Sequence, residues 1–241
     1  MIAPTYYRSQ LASEAQCHAY QQVTACLLQR QAQVTLPLGI SLEDAQKAVY
    51  ACHMDHPELF FVNFWRVRYL RMSLDGRISA EFEFLLDPKT INACTNLINQ
   101  KIEYVKNMVG RLSSPAKMFR KIADLIAADV HYCDSGNALW DHSIVGCLIS
   151  HQAVCEGLAK LYLLYCQHLL LPCAIVSGEV DSGQKHAWNV IQMGRDTRYV
   201  DITSELRTAK VFKHCSPMLF MTEQQAIVRG YRWQIQTPWR C

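Results

Sequence analysis

The order of apolar and polar positions predicts a chain that mixes helices with antiparallel strands. From Ile78 to Leu86, apolar side chains alternate with serine and glutamate, which is the pattern of a half-buried strand. The Asp75-Gly76 pair just before this stretch is a strong hairpin-turn signal. We therefore expect two antiparallel strands between Leu59 and Leu86.

Helical spacing and start signals predict several helices in the first half of the chain. Ser41 with Asp44 three residues on is typical of a capped helix start, and Pro115 after two serines opens another helix. The predicted helices cover residues 9–30, 41–53, 90–111 and 114–132. A short apolar strand is predicted at residues 34–40, and a boundary after residue 112 would give an α/β accessory region, 1–112, and a second domain, 113–241.

The second half contains one cysteine in a distinctive setting. Apolar residues follow Cys155 at steps of three and four, which predicts a helix that begins at or near this cysteine and is anchored in a core. The N–H groups of a helix start and its dipole favour the thiolate, which is the reactive form of cysteine. Upstream, residues 133–150 are interpreted as a loop.

Two further strands are predicted downstream, after one strand at residues 172–180. They cover Lys185–Ile191 and Arg198–Thr203, and the turn at Gly194–Thr197 indicates a hairpin. His186 and Asp201 would then lie side by side on neighbouring strands. A cysteine, a histidine and an aspartate in this order supply a nucleophile, a base and a group that orients the base.

These segments resemble the transglutaminase-like superfamily of cysteine acyl-transfer enzymes. The motifs that carry the resemblance are Val154-Cys155-Glu156-Gly157, His186-Ala187-Trp188-Asn189 and Val200-Asp201-Ile202-Thr203. They span about 140–205, and the preceding helix extends the similarity to about residue 114. The resemblance implies an α+β, papain-like core in which the cysteine helix packs on an antiparallel sheet that carries the histidine and the aspartate.

The resemblance implies a thiol-dependent enzyme that acts on amide bonds of proteins or peptides, and it leaves the acceptor open. Water would make the protein a cysteine peptidase or a glutamine deamidase, whereas a lysine amine would make it a protein-glutamine transglutaminase. We favour hydrolysis, because water needs no second binding groove. A third alternative is a non-catalytic protein-binding module on the same fold.

The catalytic residues predicted from these motifs are Cys155, His186 and Asp201. The backbone N–H of Cys155 is the first expected oxyanion donor, His142 or Gln152 is the second, and Trp188 is expected to pack beside the site. His151 is a rival base four residues before the cysteine, in a predicted loop.

A metal site is the competing chemistry, and the sequence does not favour it. His131, Cys133, His142 and Cys147 match no tetrahedral zinc spacing, and no calcium loop of the EF-hand kind is present. We therefore expect no metal and no cofactor.

Composition narrows the cellular setting. Half of the 241 residues are hydrophobic, so a sizeable core is expected, and the net charge of +3 with no basic block disfavours nucleic acid as a partner. The 11 cysteines form no CxxC pair, which indicates a reducing compartment rather than a disulfide framework. No secretory signal or membrane span is visible, so we predict a cytoplasmic location, with non-classical export and the oligomeric state left open.

Overall fold

The computed structural model describes residues 5–72, 75–181 and 183–233 and confirms the α+β class. The chain divides into two compact units, Thr5–Asn92 and the chain from Ala93 onward. This division falls within the helix Pro88–Val109, before the boundary predicted at residue 112. The apolar pattern of that helix continues across the division, so the sequence contains no sign of a domain boundary at this point. None of the helices within the described ranges is long and apolar enough to cross a membrane.

The unit Thr5–Asn92 combines short helices with a small sheet. Its helices are α1 (Tyr6–Ser9), α2 (Glu14–Leu28) and α3 (Leu42–Asp55), and its strands are β1 (Gln33–Thr35), β2 (Arg68–Arg71) and β3 (Ile78–Glu81). The strands pair in the order β1-β3-β2, antiparallel throughout. The predicted hairpin is confirmed, although its strands are shorter than the alternation suggests.

Side chains that cap helices account for where the helices of this unit begin. Ser41 accepts a hydrogen bond from the backbone N–H of Asp44 at 3.0 Å, so α3 begins where the sequence predicts. The helix predicted at 9–30 is confirmed as α2, with a later start at Glu14. Ser13 is extended and forms a capping box with Gln16, which starts α2 separately from α1.

The second unit contains the larger sheet and most of the helices. Its elements in chain order are α4 (Pro88–Val109, which begins before the division), α5 (Pro115–Asp129), β4 (His131–Tyr132), α6 (Ala138–Asp141), a π-helical turn (Gly146–Ser150), β5 (Gln152–Ala153), α7 (Cys155–His168), β6 (Cys173–Val180), β7 (Gln184–Met193), β8 (Asp196–Val200), α8 (Ile202–Phe212) and α9 (Glu223–Val228). Strands β4 and β5 form a small parallel pair.

The main sheet of this unit has β7 at its centre, with β6 and β8 antiparallel on either side. The hairpin between β7 and β8 turns at Gly194, whose φ of 64° lies in the left-handed region that glycine tolerates. Helix α7 packs against β6 and β7. Leu158 and Tyr162 of α7 and Trp188 of β7 are among the largest fully buried side chains, so the core lies between helix and sheet.

Two sequence-based assignments in this unit are wrong. The segment interpreted as a loop at 133–150 contains α6 and the π-helical turn. The last predicted strand extends to Thr203, whereas β8 ends at Val200 and α8 begins two residues later.

Candidate active site

Cys155 is the first residue of α7. The preceding residue, Val154, is extended and supplies no side-chain hydrogen bond to the first turn, since its side chain carries no acceptor. Its own backbone N–H donates to the carbonyl oxygen of Asp141 at 3.0 Å, which fixes the entry into the helix. The cysteine is partly exposed. A thiol is therefore presented at an anchored helix start whose N-cap residue leaves its N–H groups uncapped.

Gly157 allows the start of α7 to lie close to the preceding chain. A Cβ at this position would come within 2.5 Å of the carbonyl oxygen of Asp141 and within 2.9 Å of the Ala153 side chain. Only glycine admits this approach, so the Cys-x-Gly spacing of the motif has a packing reason. The same contacts tie the position of Cys155 to the loop that precedes it.

His186 lies on β7 and faces Cys155. Its Nε2 lies 2.9 Å from Oδ2 of Asp201, and its ring also forms a hydrogen bond with Cys155. Since Nε2 is bound to the carboxylate of Asp201, Nδ1 is the ring nitrogen that remains for the thiol. Burial lowers the pKa of His186, but the hydrogen bonds and charges of Asp201 and Cys155 outweigh it and raise the pKa from 6.5 to about 10. The site thus favours an imidazolium between two acceptors.

Asp201 is the N-cap of α8 and lies just beyond the end of β8. Its Oδ1 accepts hydrogen bonds from the backbone N–H groups of Thr203 at 2.9 Å and Ser204 at 3.4 Å. This capping explains why β8 ends at Val200 and does not continue to Thr203 as predicted. With Oδ1 used for the helix, Oδ2 remains for His186, and the carboxylate is buried with 3% of its surface exposed.

Aromatic rings enclose the outer side of the histidine. The ring of Trp188 stacks on that of His186, with centroids 5.9 Å apart and planes at 26°. Trp188 is fully buried, and Tyr231 packs edge-on against it at 5.1 Å. These rings limit the access of water to the histidine and hold its plane.

Tyr231 contributes a contact that the sequence did not reveal. Its hydroxyl donates to Oδ2 of Asp201 at 2.6 Å. Burial and the charge of Asp201 raise the pKa of Tyr231 well above its usual range, so the hydroxyl remains a donor. A contact over thirty positions in the chain leaves no local pattern by which it could be predicted.

The two proposed second oxyanion donors have different surroundings. His142 Nδ1 lies 2.8 Å from a carboxylate oxygen of Glu156, the residue after Cys155, and the other oxygen of Glu156 pairs with the buried Lys160 at 2.7 Å. Gln152 lies in β5 opposite His131 and is exposed. Their roles stay predictions.

The rival base His151 lies beside another carboxylate. Its Nδ1 is 3.2 Å from Oδ1 of Asp129, and its φ of 53° follows the π-helical turn. His186, rather than His151, forms the hydrogen bond with the thiol. Burial raises the pKa of Cys147, one of the residues weighed for a metal site. Among the described residues, no group of three or more histidine, cysteine, aspartate or glutamate side chains is arranged to hold a metal ion.

Comparison with known families agrees with the motifs. Residues 102–203 match the family model of the transglutaminase-like superfamily. This stretch includes Cys155, His186 and Asp201. The resemblance stated from the sequence is therefore confirmed over this stretch. No curated protein sequence matches the chain.

Three solved structures are similar to parts of the chain. A protein described as a TGase is 13% identical, covers 71% of this chain and gives a TM-score of 0.41. A candidate cysteine protease from Cytophaga hutchinsonii is 13% identical over 57% of the chain, with a TM-score of 0.38. A candidate protease from Parabacteroides distasonis is 9% identical over 57%, with a TM-score of 0.33. The chain spans 50%, 61% and 39% of these proteins, respectively.

Proposed function

We propose that the protein is a thiol-dependent acyl-transfer enzyme that hydrolyses amide bonds of proteins or peptides. The observation that carries the proposal is the series of hydrogen bonds from Cys155 through His186 to Asp201 at the start of α7. These three groups match the roles of nucleophile, acid–base group and orienter in acyl transfer. The aromatic rings around His186 fit a site in which the histidine exchanges protons with Cys155 and the substrate rather than with bulk water.

In the first half-reaction, Sγ of Cys155 attacks the carbonyl carbon of the amide and forms a C–S bond. The carbonyl oxygen becomes an oxyanion that the backbone N–H of Cys155 stabilises, with His142 or Gln152 as the proposed second donor. The imidazolium of His186 gives its proton to the departing nitrogen as the C–N bond breaks. An acyl thioester and a free amine, or ammonia, result.

In the second half-reaction, a water molecule attacks the thioester. Neutral His186 takes a proton from the water, the C–S bond breaks, and the carboxylic acid leaves, which restores the thiolate of Cys155 and the imidazolium of His186. A main-chain amide as substrate makes the enzyme a peptidase, and a glutamine side chain makes it a deamidase. Both need one substrate groove, whereas the alternative, a transglutaminase, also needs a place for an amine.

The proposed substrate is a protein or peptide, and the proposed location is the cytoplasm. The cysteines within the described ranges are all free thiols, which fits a reducing compartment. A non-catalytic binding module on the same fold is the alternative from another class. It gives no physical reason for a cysteine, a histidine and a buried aspartate to be joined by hydrogen bonds.

The test compares Cys155→Ala with Cys133→Ala. Cys133 is also partly exposed, and the described contacts do not join it to His186, so it is a matched control. Each protein is treated briefly with iodoacetamide, mapped by mass spectrometry, and assayed on peptides and on glutamine peptides with and without a primary amine. We expect Cys155 to label first, and turnover without amine to disappear only in Cys155→Ala.

The outcomes separate the alternatives. Turnover that appears only when a primary amine is supplied would show a transglutaminase. Labelling of another cysteine with Cys155 untouched would remove the proposed nucleophile. A native protein that neither labels at Cys155 nor turns over any substrate would favour the binding module.

A further inference from the structure

The segment after α9 runs along the edge of the main sheet, next to β6. We call Gly230–Trp233 the strap. Arg232 of the strap exchanges two backbone hydrogen bonds with Glu179 of β6, at 2.9 and 2.8 Å. This bridge makes the strap a short added strand, so its position is fixed by the sheet itself.

Two glycines make room for the strap. A Cβ at Gly178 would overlap the carbonyl oxygen of Arg232 and the indole of Trp188. Gly230 has a φ of 86°, and a Cβ there would overlap the carboxylate of Asp181. Both positions therefore need glycine for the strap to reach the sheet.

The strap places Tyr231 on the carboxylate that orients His186. The tyrosine hydroxyl and His186 Nε2 approach the same oxygen, Oδ2 of Asp201, at 2.6 and 2.9 Å. Oδ1 is occupied by the N-cap of α8. The Asp201 carboxylate thus has donors on both oxygens, and Tyr231 is the one donor among these that comes from the strap.

We propose that Tyr231 is a positioning residue: its hydroxyl fixes Oδ2 of Asp201 against His186 and takes up part of the negative charge that His186 faces. This inference rests on the proposed function, because the pair matters for turnover only if His186 transfers protons. The effect is local and graded. A stronger donor at position 231 weakens the hold of Asp201 on the imidazolium, and a missing donor strengthens it.

The other charged and polar groups around this contact come from three places. Ser204 on α8 forms a hydrogen bond with Tyr231, and Arg229 just before the strap acts on it through its charge. His186 is faced by Cys155 from α7 and by Asp201. Removal of the Tyr231 hydroxyl leaves His186 with both of its direct partners, Cys155 and Asp201, so a shift in the His186 titration reports on the hydroxyl.

The test is Tyr231→Phe, with Tyr162→Phe as the matched control. Tyr162 is also a buried tyrosine, and its hydroxyl donates to the backbone carbonyl of Phe119 at 3.2 Å. NMR of histidine-labelled protein across neutral and alkaline pH gives the pKa of His186 in each variant. We expect Tyr231→Phe to raise it and to lower kcat about tenfold with KM little changed, the size of losing one hydrogen bond to a charged group. Tyr162→Phe should change neither.

A second measurement keeps the hydroxyl in place, so it leaves no gap in the packing around position 231. Incorporation of 3-fluorotyrosine at position 231 makes the phenol a stronger donor with almost no change in shape, and it should lower the pKa of His186. An unchanged His186 titration in both Tyr231 variants, or an equal shift in Tyr162→Phe, overturns the proposal. A wild-type protein without turnover would refute the proposed function, while the His186 titration would still decide the role of Tyr231.

Discussion

His186 is the residue whose charge the site alters most. Its pKa rises from 6.5 to about 10 because Asp201 and Cys155 both favour the imidazolium over the opposing effect of burial. A group whose pKa is raised on folding stabilises the folded state fully below its unfolded pKa. That contribution disappears as the pH rises through the folded value.

This linkage gives a measurable prediction for His186→Gln, which cannot ionise. The free energy of unfolding of the wild type, relative to the variant, should be highest below pH 6.5 and should fall as the pH approaches about 10. Urea unfolding at a series of pH values measures it. A difference that stays constant across this range would show that the folded protein does not hold the imidazolium.

At the scale of elements, the start of α7 depends on the close approach at Gly157. Gly157→Ala should lower the free energy of unfolding by about 1–3 kcal/mol, since the added methyl group meets backbone atoms that cannot move independently. It should also slow iodoacetamide labelling of Cys155, because α7 must shift to relieve the overlap. Urea unfolding and timed alkylation measure the two effects.

The control for this prediction is Gly136→Ala. Gly136 has a φ of 77° with open space around its Cβ position, so alanine there adds conformational strain without a steric overlap. The variant should lose some stability and keep the labelling rate of Cys155. Equal labelling rates in both variants would show that the packing of Gly157 does not set the position of the thiol.

The elements that the sequence predicted well are those with local signals. Ser41 caps its own helix, the apolar spacing after Cys155 is complete within α7, and the β7–β8 hairpin has its own turn. The errors arise where a tertiary contact determines which element forms. Asp201 is flanked by apolar residues and so has the pattern of a strand, but its buried carboxylate caps α8, and its hydrogen bond to Tyr231 joins residues thirty positions apart.

At the scale of the whole molecule, all three proposed catalytic residues lie in the unit that begins at Ala93. We predict that a fragment starting at Pro88, which keeps α4 whole, folds cooperatively and labels at Cys155. A fragment starting at Ser113 should be less stable, because it lacks the buried α4 residues Ile102, Val105 and Val109. Urea unfolding and alkylation of the two fragments decide this, and equal stability would favour the boundary at residue 112.

The two functions of the Asp201 carboxylate bear on how the sequences of relatives should be interpreted. One oxygen begins a helix and the other orients the histidine, so natural selection for folding alone would retain an aspartate here. A related protein that had lost its enzymatic role would keep this aspartate long after its cysteine had been replaced by another residue. The aspartate is therefore a poor marker of an active lineage, and the cysteine together with the histidine is the better one.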